Sequence, residues 1–184
     1  LNPVGTVKST LNSALSLKKY SNEYEVYLIN VCGEWNDYEK FLSNNSINQI
    51  KLSFSYFKFL PKRGLISSRL SYILIFILSF FPLLILLKKH KPDILFLHLI
   101  TSLPLIILKT FKFRTNFILR ISGNPKLNIF RKIIWKSISK KIRCITCPTL
   151  DLKKDLINSN IFDGKKLHFL PDAIIRMKDF KKEK

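Results

Sequence analysis

The sequence predicts an α/β fold in which a parallel β-sheet is covered by helices on both faces. Apolar periodicity switches repeatedly along the chain between the two-residue repeat of strands and the 3.6-residue repeat of helices. Hydrophobic residues make up 47% of the 184 residues, which is enough for the core of one compact domain. Strands that alternate with helices form βαβ units, and such units give parallel sheets.

Six segments have the alternation or the short apolar run of a strand. They are residues 24–31, 47–54, 93–98, 115–121, 142–147 and 166–170. Helical periodicity predicts helices over residues 7–19, 36–45, 65–89, 101–111, 127–141 and 149–159. Thr6 and Thr149 stand where they would cap the first and last of these helices.

The chain opens with a glycine turn and a helix, without the strand that precedes them in a Rossmann-like sheet. That first strand is central in the doubly wound strand order. We therefore expect segments 24–31 and 93–98 each to lack a hydrogen-bonding neighbour. Unpaired buried backbone groups cost about 1–3 kcal/mol each, so we expect the isolated chain to be insoluble or to associate through strand edges.

The formal net charge is +20, from 32 Lys and Arg against 12 Asp and Glu. Two explanations are open: attraction to an anionic partner, or a general compositional bias that also enriches Ile, Asn and Phe. Zinc-finger spacings and the aromatic signature of RNA-binding modules do not occur. The charge therefore favours phosphate-bearing ligands or an anionic membrane surface as partners, and not nucleic acid.

The three cysteines argue against a disulfide framework, because their number is low and odd. Cys144 and Cys147 form a C-x-x-C pair, but they lie inside a predicted strand, so we predict a structural role for them. No two histidines have the spacing of metal ligands, and we predict no metal site.

Residues 70–87 form an apolar run of 18 residues without a charge, flanked by Arg69 and by "KKHK". This meets the lower length limit of a transmembrane helix. Pro82 within the run and the strand that follows it oppose a membrane span. Three alternatives are open: a helix that touches a membrane surface, a core helix, and a transmembrane helix.

Ligands of parallel sheets bind outside the carboxyl ends of the strands. That rule brings together residues 30–33, His98, residues 120–124 and residues 148–149. In "RISGNP" (120–125), the Arg120 guanidinium and nearby backbone amides are suited to an anion or to sugar hydroxyls. The alternative is that Arg120 caps a helix or pairs with an acid. His98 likewise is either a site residue or a core histidine.

Three stretches resemble the amino-terminal domain of family 4 glycosyltransferases, enzymes with two Rossmann-like domains (GT-B type). The stretches are "KPDILFLHLITSLPLIIL", "ILRISGNPKLNIFRKIIWKSISKKIRCITCPTLDLKKDL" and "IFDGKKLHFLPDAII". The "KPD" strand ending in His98 and the helix start "TLDLKKDL" are similar to family motifs. Pro171 and Asp172 approximate the family's "PN-G" turn.

The resemblance implies a retaining enzyme that moves a hexosyl group from a nucleotide sugar to a cell-surface glycan or lipid-linked acceptor. It implies no metal and no cofactor, the nucleotide sugar being the donor substrate. Donor-diphosphate contacts are implied for Gly5 and Thr6. Acceptor contacts are implied for His98, Arg120, Ser122, Gly123 and Asn124.

By the same resemblance, residues 1–176 form the acceptor-side domain and residues 177–184 a basic tail or the start of a linker. The family's second domain holds the nucleotide-sugar pocket, so we expect this chain alone to be inactive. The cations on the polar face of segment 127–141, which are Arg131, Lys132, Lys136 and Lys140, suit an anionic membrane, and a solvated surface is the open alternative. We therefore expect a cytoplasmic protein, peripheral on the inner face of the cell membrane. The alternative is a small membrane-anchored binding or scaffold protein that spans the bilayer at 70–87.

Overall fold

The computed structural model describes residues 5–172, except residues 22, 53, 61–64, 99–100 and 126–127. The predicted α/β class is confirmed, because every strand pair is parallel and helices alternate with the strands. Contacts between residues divide the described chain into two compact units. We call residues 10–86 the two-stranded unit, and residues 5–9 with 87–172 the four-stranded unit.

The two-stranded unit contains a short parallel sheet and three helices that lie wholly or mostly within it. In chain order the elements are α1 (Gly5–Tyr20), β1 (Tyr27–Asn30), α2 (Glu39–Asn44), β2 (Asn48–Lys51) and α3 (Leu65–His90). Helices α1 and α3 each continue for a few residues into the other unit. Cys32, Tyr56 and Leu60 form a buried cluster, against which Leu74 and Ile75 of α3 pack.

The four-stranded unit is a parallel sheet in the order β3-β4-β5-β6, with a helix between each pair of consecutive strands. Its elements are β3 (Ile94–Leu97), α4 (Ser102–Thr110), β4 (Asn116–Arg120), α5 (Ile129–Ile138), β5 (Cys144–Cys147), α6 (Leu150–Asn158) and β6 (Leu167–Phe169). Phe117, Leu119 and Ile145 on the central strands are completely buried. This burial explains why these segments read as continuous apolar runs.

The strand pairing is the one expected when the first strand of a doubly wound sheet is missing. Among the described residues, β1 pairs only with β2, and β3 pairs with β4 on one edge alone. In the doubly wound strand order, the first strand lies between the second strand and the fourth. Without the first strand, the strands on its two sides have no hydrogen-bonding neighbour in common. Residues 1–4, which precede α1, are outside the described residues, so the predicted absence of that strand stays a prediction.

The two predicted helix caps have different outcomes. Thr149 is the N-cap of α6, where its Oγ1 accepts a hydrogen bond from the Leu152 amide at 3.2 Å, as predicted. The prediction for Thr6 is wrong, because α1 already begins at Gly5 and Thr6 lies in its first turn. An N-cap residue stands outside the helical backbone, and Thr6 is inside it.

The cysteines of the C-x-x-C pair have the structural role that the sequence predicts. Both are free thiols on β5, with Cys147 buried and Cys144 half-buried. Burial raises the pKa of both thiols above the ordinary value. Thiols held protonated in this way are poor nucleophiles and poor metal ligands.

Two lysines close the carboxyl ends of helices. Lys166 Nζ donates hydrogen bonds to the carbonyl oxygens of Ser139, Lys140 and Ile142, which follow α5, at 3.0, 2.9 and 2.9 Å. Lys141 Nζ does the same for Leu108 and Lys109 at the end of α4. Cations are favoured at this end of a helix because of its dipole, so part of the positive charge has a structural use.

Candidate functional site at the carboxyl edge of the four-stranded sheet

The carboxyl ends of β3, β4 and β5 place polar residues along one edge of the sheet. Leu97 is in register with Leu119, and Arg120 with Thr146, so His98 and Arg120 follow one another at the ends of neighbouring strands. We call His98, Arg120, Ser122 and Asp172 the carboxyl-edge site. The predicted grouping of His98 with the 120–124 segment agrees with this register.

Arg120 is buried and paired. It is 3% exposed. Its Nη2 donates to Asp172 Oδ1 at 2.6 Å, and its Nη1 donates to the Leu170 carbonyl oxygen at 2.7 Å. A buried charge is tolerated only when it is paired and hydrogen-bonded. The terminal nitrogens of Arg120 therefore pair with an acid and with a backbone carbonyl group, as one of the two interpretations of the sequence predicted.

Asp172 connects Arg120 to the first helix. The same Oδ1 that accepts from Arg120 also accepts a hydrogen bond from Ser9 Oγ at 2.6 Å. Ser9 lies on α1 and is 2% exposed. The beginning of α1, the end of β4 and the last described residue of the chain thus meet at one carboxylate oxygen.

Three buried side-chain atoms of this site have no hydrogen-bond partner among the described residues. They are Arg120 Nε, His98 Nδ1 and Ser122 Oγ. Buried polar atoms in folded proteins are nearly always paired, and leaving one unpaired costs about 1–3 kcal/mol. A polar ligand that formed hydrogen bonds with these three atoms would remove that cost. The atoms therefore mark the candidate binding position.

His98 is electrically neutral at physiological pH. The pKa of its imidazole is lowered from 6.5 to about 4, mainly by burial and next by the positive charge of Arg120, against a smaller opposite effect of Asp172. The ring stacks on Phe96 with 4.8 Å between the ring centroids. A neutral imidazole presents one hydrogen-bond donor and one acceptor.

The other predicted site residues lie in more open positions. Gly123 and Asn124 are exposed, and Asn124 Nδ2 donates to Asp155 Oδ2 of α6 at 3.1 Å. A Cβ on Gly123 would meet nothing within 4 Å, so no steric requirement for glycine exists there. Gly5 and Thr6 form the first turn of α1; the Thr6 side chain is outside the described part of the structure.

The end of β1 also has a polar network, but its groups are satisfied within the chain. Asn30 accepts from the Gly33 amide at 2.7 Å and donates to Asn36 at 3.0 Å. The Glu34 carboxylate accepts from the amides of Val31 and Cys32. A small cavity of about 200 Å³ adjoins this network. The sequence predicted that residues 30–33 lie at the same edge as His98. Residues 30–33 belong to the two-stranded unit and His98 to the four-stranded unit, so residues 30–33 are not part of the carboxyl-edge site.

Sequence reasoning missed Ser9 and did not identify Asp172 as a site residue. The signal for Asp172 was the buried cation itself, since an arginine that ends an apolar strand needs either a ligand or a carboxylate as its partner. Among the described residues, no three His, Cys, Asp or Glu side chains are grouped so that they would hold a metal ion.

Helix α3 over Arg69–His90 is long and apolar enough to cross a membrane, judged by length and composition.

No protein-family model matches the chain, and comparisons with curated proteins and with solved structures likewise find no match.

Proposed function

We propose that the carboxyl-edge site binds hydroxyl groups of a sugar-containing acceptor, and that the chain contributes the acceptor-side domain of a retaining glycosyltransferase. The observation that supports this is the set of three buried, unpaired atoms on His98, Arg120 and Ser122. The order of the family-like motifs along the chain supports the reaction class.

The charge balance of the site favours hydroxyl groups over an anion. Asp172 offsets the charge of Arg120, and the imidazole of His98 is neutral. A free anion would have to compete with Asp172 for the terminal guanidinium nitrogens. A hydroxyl group both donates and accepts, so it can pair with Arg120 Nε–H and with the hydroxyl of Ser122 without adding charge.

The donor is proposed to lie at the beginning of α1. Backbone amides at a helix N-terminus attract anions, and the diphosphate of a nucleotide sugar is such an anion. In the proposed reaction, the bond between the sugar's anomeric carbon and the diphosphate breaks and a bond to the acceptor oxygen forms. The diphosphate leaves with the electron pair of the broken bond and takes up the acceptor proton.

Saturation-transfer NMR tests the acceptor site directly. The probes are glucose, galactose, N-acetylglucosamine and their disaccharides, with inorganic phosphate as the anionic competitor. We expect saturation of saccharide protons that phosphate does not displace. Ser122→Ala removes a hydroxyl without an intrachain partner in the described structure, so it should weaken saccharide binding roughly 2- to 10-fold.

Two variants make the result specific. Ser137→Ala removes an exposed serine hydroxyl from α5, and it should leave saccharide binding unchanged. Arg120→Lys keeps a positive charge opposite Asp172 but removes the Nε–H group, so it should weaken saccharide binding. Equal affinities of the Ser122 and Ser137 variants, or displacement of saccharides by phosphate, would overturn the proposal.

A further inference from the structure

We propose that helix α3 lies in the plane of an anionic lipid bilayer and rests on it with one apolar face. This inference goes beyond the proposed sugar site and does not depend on it. The face consists of Leu70, Ile73, Ile77, Phe81 and Ile85, which we call the α3 stripe.

The α3 stripe is a continuous line of exposed apolar side chains. Its members are three or four residues apart, so they follow one side of the helix. They are between 48% and 67% exposed. The helix of an ordinary globular protein presents polar residues on its outer side, and an apolar outer side marks a surface that contacts a membrane or a protein.

Part of the opposite side of α3 packs on its own unit, which argues against a membrane span for this helix in the folded protein. Ser79 is completely buried, and its Oγ is 2.8 Å from the hydroxyl of Tyr56. The same unit carries the exposed ion pair between Lys51 and Glu39. A spanning α3 would draw these polar groups into hydrocarbon or would have to leave its packing partners.

Lipid is a better occupant of the stripe than a protein partner. Protein interfaces have a polar rim with about one hydrogen bond per 100–200 Å², but residues 70–87 offer few polar groups. Ser71 and Ser79 already bond within the chain, to the Ser67 carbonyl oxygen and to Tyr56.

Cations stand at both ends of the stripe, as an anionic surface requires. Arg69 precedes it, and Lys88 and Lys89 follow it in the last turn of α3. Lys88 is seven residues after Phe81, so its Cα lies on the same side of the helix, and its Nζ is 4.9 Å from the centroid of the Phe111 ring. An exposed apolar helix side with cations at both ends fits the interface between headgroups and acyl chains, where the apolar side contacts the acyl chains and the cations contact the headgroups.

Vesicle co-sedimentation tests this proposal. The purified full chain should bind vesicles of phosphatidylcholine mixed with phosphatidylglycerol, and should bind vesicles of phosphatidylcholine alone more weakly. Ile77→Gln/Phe81→Gln keeps the net charge and should lower the vesicle affinity about 100-fold, roughly tenfold for each apolar side chain that leaves the interface. Lys88→Gln should lower the affinity for the anionic vesicles about fivefold.

A matched control is the pair Leu150→Gln/Ile157→Gln, which removes two exposed apolar side chains from α6. It should leave vesicle binding unchanged, and circular dichroism should show that all variants keep their helix content. An effect of this control equal to that of the stripe variant would overturn the proposal.

Two further outcomes would also overturn it. Alkaline carbonate should release the protein from membranes, and retention would mean that α3 spans the bilayer. Analytical ultracentrifugation without lipid should show no association that depends on the stripe. If the chain formed a dimer that the stripe variant dissociates, and if it did not bind vesicles, the partner of the stripe would be a second copy of the chain.

Discussion

The buried imidazole of His98 should make the folded protein sensitive to mild acid. Its pKa is lowered from 6.5 to about 4, first by burial and then by the charge of Arg120. In the unfolded chain the imidazole returns to the ordinary value. Between pH 6.5 and pH 4 the unfolded state therefore binds a proton that the folded state does not, and protonation favours unfolding.

The size of the effect follows from the two pKa values. Each unit of pKa difference corresponds to about 1.36 kcal/mol, so His98 contributes about 3 kcal/mol of pH-dependent stability. This contribution is fully present above pH 6.5 and is lost as the pH falls from 6.5 to about 4. It is a large fraction of the roughly 5–15 kcal/mol by which domains are stable.

Urea denaturation at a series of pH values measures this contribution. Trp135 is buried in the same unit as His98, and a Trp35→Phe background makes its fluorescence the signal of that unit. His98→Gln cannot be protonated, so its free energy of unfolding should fall less between pH 7 and pH 4 than that of the parent, by about 3 kcal/mol. Parallel curves for parent and variant would refute the reasoning, because they would place the folded-state pKa of His98 near 6.5.

Three further changes have expected costs that can be measured by urea denaturation. Asp172→Ala leaves the guanidinium of Arg120 buried without its counter-charge and should lower the free energy of unfolding by about 3 kcal/mol. Lys166→Met removes three hydrogen bonds to the carbonyl groups that follow α5 and should cost about 2 kcal/mol. Gly33 has a φ of 96°, and a Cβ there would stand 2.1 Å from Ser55 Oγ, so Gly33→Ala should cost at least about 1–2 kcal/mol.

Each of these changes has its own control. Adding Arg120→Met to Asp172→Ala removes the unpaired charge and should restore part of the stability. Lys165→Met changes an exposed neighbour of Lys166 and should stay within about 0.5 kcal/mol of the parent. Adding Ser55→Gly should remove the steric clash between the new Cβ and the Ser55 side chain. The cost of the positive φ at position 33 should remain. A Gly33→Ala variant as stable as the parent would contradict the strain argument.

The helices and strands were predictable because their signals are local. The segment 115–121 contains a short apolar run at 117–119 and is followed by a turn, and the strand Asn116–Arg120 lies within it. The Thr149 cap is likewise readable from a few residues, since a threonine just before an apolar period is a helix start. The same rule gave a wrong prediction for Thr6, because the helix already begins at Gly5.

The partner of Arg120 could not be read from the sequence in the same way. Arg120 and Asp172 are 52 residues apart, and Ser9 and Asp172 are 163 residues apart. No periodicity links such distant positions. The pattern did indicate that a cation at the end of a buried strand needs either a ligand or an acid, but only the register of β4, β5 and β6 brings Asp172 to that place.

The pairing of Arg120 changes how its substitution must be interpreted. Arg120→Ala removes three side-chain hydrogen bonds, one of which is the ion pair with Asp172, and the unpaired Nε–H at once, so lost activity would be mixed with lost stability. Ser122 Oγ and His98 Nδ1 have no partner in the described structure, and removing either atom breaks no observed hydrogen bond. Ser122 is the better position to separate ligand binding from folding, because the His98 ring also stacks on Phe96 and its protonation is coupled to stability.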